Sequence, residues 1–591
     1  MPSLFVLILC TYVFLTSFGV DTYHDGIMFG GALAASHGLP PYRGYFAMYG
    51  WPISTIQGGF FSVFEPNLVV LRGGSAVLLG ASFALLGLTW IRTYGKRISI
   101  AATLLAFLLT PFFSHHFDVL PWNSDLILFL QALLLFLLRD QTLSFVGSRG
   151  WIFLSAASGL LSLVIWSRLT VGLVTTLLIS IVLLISRNWK LVGAFWITML
   201  LFNGIFLVWL IETGSLSAFV DQYYRFPREA FLVNRGPHAG IEILIGVMVS
   251  IPLALLAGAW QIGRKLKFQV SVPVIRVSAI VASGITLTYR FLSFPLDPRY
   301  LATRIFQETA LFAIVILGSL ISLSRIVKFF RRRSERRSSD FANAIRAAIV
   351  AGALVQIFPQ PDWYHLWWAA LPAMASVIAT YFPNQSSARS SDRFALRAVC
   401  AVALVLAVFS LTIKFTRSYV DASEISILSG SKMNSRQYEE IIPTMAALQK
   451  VQANVGSRSV VNICSMGLYI GLGKQVDFVS PYFVSWEWGR GVGVSLRAPR
   501  TLSFLREKSP FVVYCPLRGY DWGKDSADLF QPLAPLGYSL LRVESCNKPS
   551  WKFRVSPYDL AVAVPKRQVD EFKFTSSQSK DFCTKVLTLR D

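Results

Sequence analysis

Residues 21–50 read DTYHDGIMFGGALAASHGLPPYRGYFAMYG, and the placement of the rest of the chain follows from this stretch. An apolar span, residues 4–20, precedes it, and the stretch is too polar to continue that span. It carries Asp21, Asp25, His24, His37 and Arg43, with six glycines and six aromatic rings (Tyr23, Phe29, Tyr42, Tyr45, Phe46, Tyr49). Several hundred largely hydrophobic residues follow. A carboxylate at the mouth of a membrane helix is in reach of both water and lipid headgroups, and ionisable groups there are costly enough to mark functional candidates. For a lone Asp the plainer reading is the solvated end of a helix; a cluster of this density argues against it.

The composition is that of an integral membrane protein. Over 591 residues the mean hydropathy is +0.54 and only 15% of side chains are charged, against about 25% in soluble domains. The net charge of +23 does not mark a nucleic-acid binder, because the basic residues sit in short clusters between apolar spans. That is the distribution of cytoplasmic membrane loops. The first twenty residues lack a charged leader and a small-residue cleavage site, so they read as a retained signal-anchor helix.

Runs long enough to cross a bilayer number about thirteen: 4–20, 66–91, 98–113, 125–138, 151–166, 169–186, 191–211, 241–262, 273–289, 309–324, 345–358, 366–382 and 397–415. The fifth and sixth form a hairpin hinged at Trp166-Ser167-Arg168. Alternate loops are basic, the most basic being RIVKFFRRRSERR from Arg325, while the others collect Asp, His and aromatic residues. The positive-inside rule then places the N-terminus in the cytoplasm and the 21–50 stretch outside. An odd span count puts 416–591 outside as well. The expected architecture is an all-α transmembrane domain over 1–415 followed by a small extracytoplasmic α/β domain over 416–591. In that tail VVNIC, FVVYCP, YSLLRV and DLAVAVP read as short strands, with helices over 435–455 and 494–507. Cys464, Cys515, Cys546 and Cys583 can pair in three ways or remain buried thiols.

The unusual residues meet on one side: Asp21, His24, Asp25, Tyr42 and Arg43; His115, His116, Asp118 and Asp125; Arg168; Arg225, Arg228 and Arg235; Arg290, Arg299 and Arg304; Asp362, Tyr364 and His365. Carboxylates beside arginines suit a reaction between a hydroxyl acceptor and a phosphorylated substrate. The carboxylate takes the hydroxyl proton, and guanidinium forks hold phosphate oxygens as charge develops on the leaving group. There is no GxxxxGK[ST] and no strand-GxGxxG-helix, so a lipid phosphate is the natural donor outside the cytoplasm. Adjacent histidines such as His115 and His116 rarely point the same way, so Asp25 and Asp125 form the more natural oxygen site for a divalent cation. The sequence is compatible with such a cation and does not require it.

DTYHDG (21–26) and GLPPYRGYFAMYGWP (38–52), with Asp125 opening the fourth span, LVIWSRLTVG (163–172) and DWYHLWWAALP (362–372), resemble the GT-C superfamily of polytopic glycosyltransferases, in particular the bacterial protein-mannosyltransferase-like branch. The resemblance covers roughly residues 1–380. It implies a polyprenyl-phosphate-linked sugar donor and a glycan, lipid or protein acceptor on the extracytoplasmic face of a bacterial inner membrane. It further implies Asp25 as general base, with His24, Tyr42, Arg43, Asp125, Arg168, Arg299 and His365 around donor and acceptor. Relatives usually carry an acidic residue directly after the Tyr-Arg pair. Here it is Gly44, so Asp21 or Asp125 would have to supply a second carboxylate.

Two other classes compete. A transporter, flippase or export component would show paired repeats and charges at mid-membrane, and the polar residues here gather in loops instead. A non-catalytic scaffold could bind cell-wall polymer through the tail. For individual residues plainer roles also compete: Arg168 could snorkel to the interface, and His365 could belong to an aromatic belt with Trp363, Trp367 and Trp368.

Overall fold

A computed structural model describes residues 1–20, 24–45, 47, 50–113, 119, 121–138, 148–225, 301–331, 338–357, 363–381, 390–416, 418–423, 428–435, 438, 460–462, 499–509, 511–514, 531–545, 560–568 and 582–587. The predicted spans 241–262 and 273–289 lie outside these residues, as do Asp21, His115, His116, Asp118, Arg299, Cys464, Cys515 and Cys546, and the side chains of His24 and Cys583.

The described chain is mainly helical. In order come α1 (Pro2–Leu15), α2 (His24–Ser36), α3 (Trp51–Val63), α4 (Leu68–Tyr94), α5 (Lys96–Leu108), α6 (Asn123–Leu137), α7 (Ser148–Ser167), α8 (Leu169–Ser186), α9 (Trp189–Glu212) and the short α10 (Leu216–Val220). After these come α11 (Leu301–Arg331), α12 (Ser338–Leu354), α13 (Trp363–Ala370), α14 (Met374–Tyr381) and α15 (Ser390–Phe415). Among the described residues seven helices are long and apolar enough to cross a membrane, and two shorter apolar ones accompany them. The peripheral α9 and α15 leave Ile197, Leu200, Ile205, Val405 and Val408 exposed. Side chains of that kind on a helix exterior belong against lipid, and the chain is an integral membrane protein.

Two expectations are corrected. The stretch 21–50 and its continuation do not form an irregular loop, because they supply α2 and α3. Small residues allow this: at Gly58 a side chain would meet Ala35 Cβ at 2.8 Å and Ala32 O at 2.9 Å. Asp25 therefore lies in the first turn of α2 and does not cap the preceding span, which ends at Leu15. The span predicted over 366–382 is broken in two, since Leu371–Ala373 is a 3₁₀ turn containing Pro372, which cannot donate within a continuous helix.

The two ends of the bundle differ. At one, Arg325 Nη1 donates to Tyr94 Oη (3.0 Å) and Arg346 Nη1 to Thr93 Oγ1 (3.2 Å), beside the basic turn Arg92–Arg97. The other end carries the carboxylates, the hairpin tip at Arg168 and the start of the C-terminal segment. In that segment β1 (Tyr419–Asp421) and β2 (Lys432–Asn434) form an antiparallel hairpin. Further on, β3 (Val460–Asn462), β4 (Phe511–Tyr514), β5 (Tyr538–Ser545), β6 (Leu560–Pro565) and β7 (Phe582–Leu587) make a mixed sheet of order β3-β4-β6-β5-β7. A helix, α16 (Pro499–Lys508), precedes β4.

Candidate functional site

Asp25 is fully buried, and its partner is Arg72, equally buried, five residues into α4. Arg72 Nε donates to Asp25 Oδ1 at 3.0 Å and Nη2 donates to Oδ2. The remaining nitrogen, Nη1, donates to the carbonyls of Thr16 (3.3 Å), Phe18 (3.0 Å) and Gly19 (2.9 Å). These carbonyls follow the end of α1, where a helix leaves its last oxygens without internal partners. One guanidinium thus holds the carboxylate and ties off the preceding helix. Its bidentate geometry is the strong form of the contact. Arg72 lies inside the span expected over 66–91, where a single arginine in an apolar run is itself a signal of function.

A second group surrounds Asp125, in the first turn of α6 and fully buried. Trp368 Nε1 donates to its Oδ1 at 2.9 Å, and Oδ2 has no hydrogen-bond partner among the described residues. The Ser75 hydroxyl is directed at the same carboxyl, outside hydrogen-bonding geometry. His365 lies edge-on to Trp368, with ring centroids 5.6 Å apart. Arg168, the N-cap of α8, donates through Nη1 to Ser124 Oγ (3.3 Å) and through Nη2 to Gln356 O (3.1 Å). Gln356 Nε2 in turn donates to Gln131 Oε1 at 3.1 Å. Asp125, Arg168 and His365, drawn from distant parts of the sequence, are therefore brought together. Trp367 and Trp368 are core residues and not an interfacial belt, both fully buried, with Trp367 Nε1 donating to Ala106 O at 3.0 Å.

Tyr42 and Arg43 fall in a third group, against α9 and α10. Arg43 Nη1 donates to Thr213 O at 3.0 Å, closing the end of α9. Gln222 bridges the turn, its Oε1 accepting from Ala47 N (2.9 Å) and its Nε2 donating to Tyr42 O (2.5 Å). Tyr42 is buried with φ at 66°, a conformation uncommon for a bulky residue. Burial pushes the phenols of Tyr42, Tyr45 and Tyr223 upward, so they stay protonated near neutral pH and do not serve as bases. The turn also limits what residue 44 can be. Gly44 N donates to Pro40 O at 2.7 Å, and a side chain at 44 would sit 2.8 Å from that oxygen and 2.9 Å from Leu39 Cβ.

The 38–50 segment closes onto the hairpin tip at Gly50, whose φ is +89°. A Cβ there would run into Trp166 O and lie 2.8 Å from Ser167 Cα. Gly50→Ala is expected to cost at least about 1–3 kcal/mol through backbone strain alone, seen as a lowered unfolding temperature in detergent. Wild-type stability would show that the tip moves aside freely.

Two groups of the site share one face of α4. Arg72 reaches Asp25, and Ser75, three residues on, lies near Asp125 without a hydrogen bond to it. Three residues of helix advance about 4.5 Å, so α4 passes close to both carboxyl groups. Among the described residues no group of three or more His, Cys, Asp or Glu side chains gathers.

No family model and no curated protein matches the sequence. Among solved structures, the archaeal oligosaccharyltransferase AglB from Archaeoglobus fulgidus, in complex with an inhibitory peptide and a dolichol-phosphate, aligns at 12% identity with a TM-score of 0.47, over 94% of this chain and 75% of its own. ArnT from Cupriavidus metallidurans bound to undecaprenyl phosphate aligns at 13% identity with a TM-score of 0.38, over 95% and 97%. Both scores lie below 0.5, and neither likeness bears on the chemistry of this chain.

Proposed function

We propose that the chain is a membrane glycosyltransferase of the GT-C type, moving a sugar from a polyprenyl-phosphate carrier to an acceptor hydroxyl on the extracytoplasmic face. The observation that carries this reading is two buried carboxyl groups at one end of the bundle, Asp25 of α2 locked to Arg72 and Asp125 of α6 bonded to Trp368, with His365 against that indole and Arg168 on the adjacent Ser124. Water-excluded carboxylates and guanidinium groups at one end of an apolar bundle suit a lipid-borne phosphate and a hydroxyl nucleophile. A conduit would need such groups along its length.

In this reading the acceptor oxygen attacks the anomeric carbon, the bond to the phosphate oxygen breaks, and the polyprenyl phosphate leaves with inversion. Asp25 takes the hydroxyl proton. Arg72 holds the group aimed while water is excluded. Arg168 and His365 are placed to hold the donor phosphate, arginine through a guanidinium fork. Asp125 lies beside them as the second carboxyl group, the place Gly44 leaves unfilled. A divalent cation would be held through Asp125 Oδ2, the carboxyl oxygen without a hydrogen bond among the described residues, because Arg72 already neutralises Asp25.

Purified protein incubated with labelled polyprenyl-phosphate sugars should release polyprenyl phosphate and glycosylate an acceptor. Vesicles showing carrier translocation without transfer would favour the flippase reading instead. Arg168→Ala should raise the donor KM by about 10–100-fold, as for loss of a hydrogen bond to a charged group, with kcat little changed. A fall in kcat at constant KM would move Arg168 from donor binding to the transition state.

A further inference from the structure

The segment just beyond the last span is stitched into the turn that Arg72 holds. Lys432 N donates to Ser17 O at 2.6 Å, and Gly19 N donates to Lys432 O at 2.8 Å, so β2 pairs with residues 17–19 as a short parallel bridge. The contact is reinforced around Phe18. Its ring lies 5.1 Å from Tyr419 and 5.3 Å from Phe415, with Lys432 Nζ at 5.6 Å. The hairpin also reaches α4 one turn before Arg72, since a Cβ on Gly430 would sit 3.4 Å from Val69 Cγ2. Ala422, Leu428 and Met433 are fully buried in the same core as Val20, Leu68 and Leu71. Phe18 and Gly19 therefore offer their carbonyls to Arg72, while Ser17 and Gly19 exchange backbone bonds with Lys432.

We propose that the 419–434 hairpin is a positioning element of the site: through the backbone of Lys432 it fixes the 16–19 turn, and that turn fixes Arg72 and with it the Asp25 carboxylate. Arg72 has two sets of partners, and only the Asp25 set is held by α2. If the turn shifts, three of the carbonyls that orient the guanidinium shift with it, and the fork no longer matches the carboxylate plane. The segment after the last span thus sets the geometry of the reacting group without touching substrate. The claim rests on Asp25 being that reacting group, and its test is chosen to work without turnover.

In the full chain, Lys432→Pro removes the N–H that donates to Ser17, and Lys432→Ala keeps the backbone while deleting the exposed side chain. Val420→Pro weakens the same hairpin one pair away, opposite Met433, and stands in if the first variant does not yield monodisperse protein. The readout is modification of Asp25 by a hydrophobic carbodiimide, which takes protonated carboxyl groups, quantified by mass spectrometry with Asp125 as internal reference. Either proline variant should raise Asp25 modification several-fold over Asp125, as should Arg72→Gln, and Lys432→Ala should leave it at the wild-type level. Equal rises at both carboxyls would mean general loosening and overturn the proposal, as would no rise in a folded proline variant. With an active preparation, Lys432→Pro should also lower kcat by about tenfold or more with KM unchanged. A wild-type chain with no transferase activity would retire the functional reading of Asp25, while the labelling would still decide whether the hairpin positions it.

Discussion

Asp25→Asn is expected to lower transfer from a polyprenyl-phosphate sugar by a factor of about 10²–10⁴, the usual worth of a positioned general base. The substitution keeps the shape of the side chain and removes its basicity, but the structure shows that it does more than that. Asp25 is buried against Arg72, so the asparagine leaves a guanidinium without its counter-charge and turns an amide NH₂ toward Nη2. Activity must accordingly be expressed per folded molecule, in single turnover, with unfolding followed in parallel. Asp125→Asn is the companion measurement. It removes a carboxyl whose Oδ2 has no hydrogen-bond partner among the described residues and leaves the Trp368 indole an amide oxygen to donate to. Near-wild-type transfer by folded Asp25→Asn, together with an inactive Asp125→Asn, would assign the base to the second carboxyl.

Arg72→Ala should be the most destabilising single change at this end of the bundle. Removing one partner of a buried ion pair typically costs about 3–5 kcal/mol, because the other charge is stranded. Here the carbonyls of Thr16, Phe18 and Gly19 lose their donor as well. Lysine should not rescue it, since an ammonium cannot reproduce a planar fork that serves two carboxylate oxygens and three carbonyls together. Thermal unfolding in detergent of Arg72→Ala, Asp25→Asn and the double variant Arg72→Ala/Asp25→Asn closes a double-mutant cycle. A coupling below about 0.5 kcal/mol, the limit for independent sites, would show that the pair is not a stabilising unit.

The division between what was legible in the chain and what was not follows the range of the forces involved. Hydropathy and charge act span by span, so most helices, the hinge at Trp166-Ser167-Arg168 and the segregation of the basic run beginning at Arg325 from the carboxylate end could be read from local runs of residues. Asp25, Asp125, Arg168 and His365 could be chosen because charge and histidine are expensive beside lipid wherever the chain runs. Local composition misled where packing decided the outcome. The glycines and alanines of 26–35 and Gly58 let α2 and α3 approach closely, so a stretch with the look of a loop folds as helix. Pro372 divided a segment whose hydropathy alone called for one span. Pairing lay beyond the sequence altogether. Arg72 meets Asp25 across 47 residues, Trp368 meets Asp125 across 243, and Arg168 meets Gln356 across 188. Lys432 closes on Ser17 and Gly19 through backbone atoms that every residue carries. A buried charge announces in the sequence that it needs a partner, but which side chain answers is settled only when the helices pack.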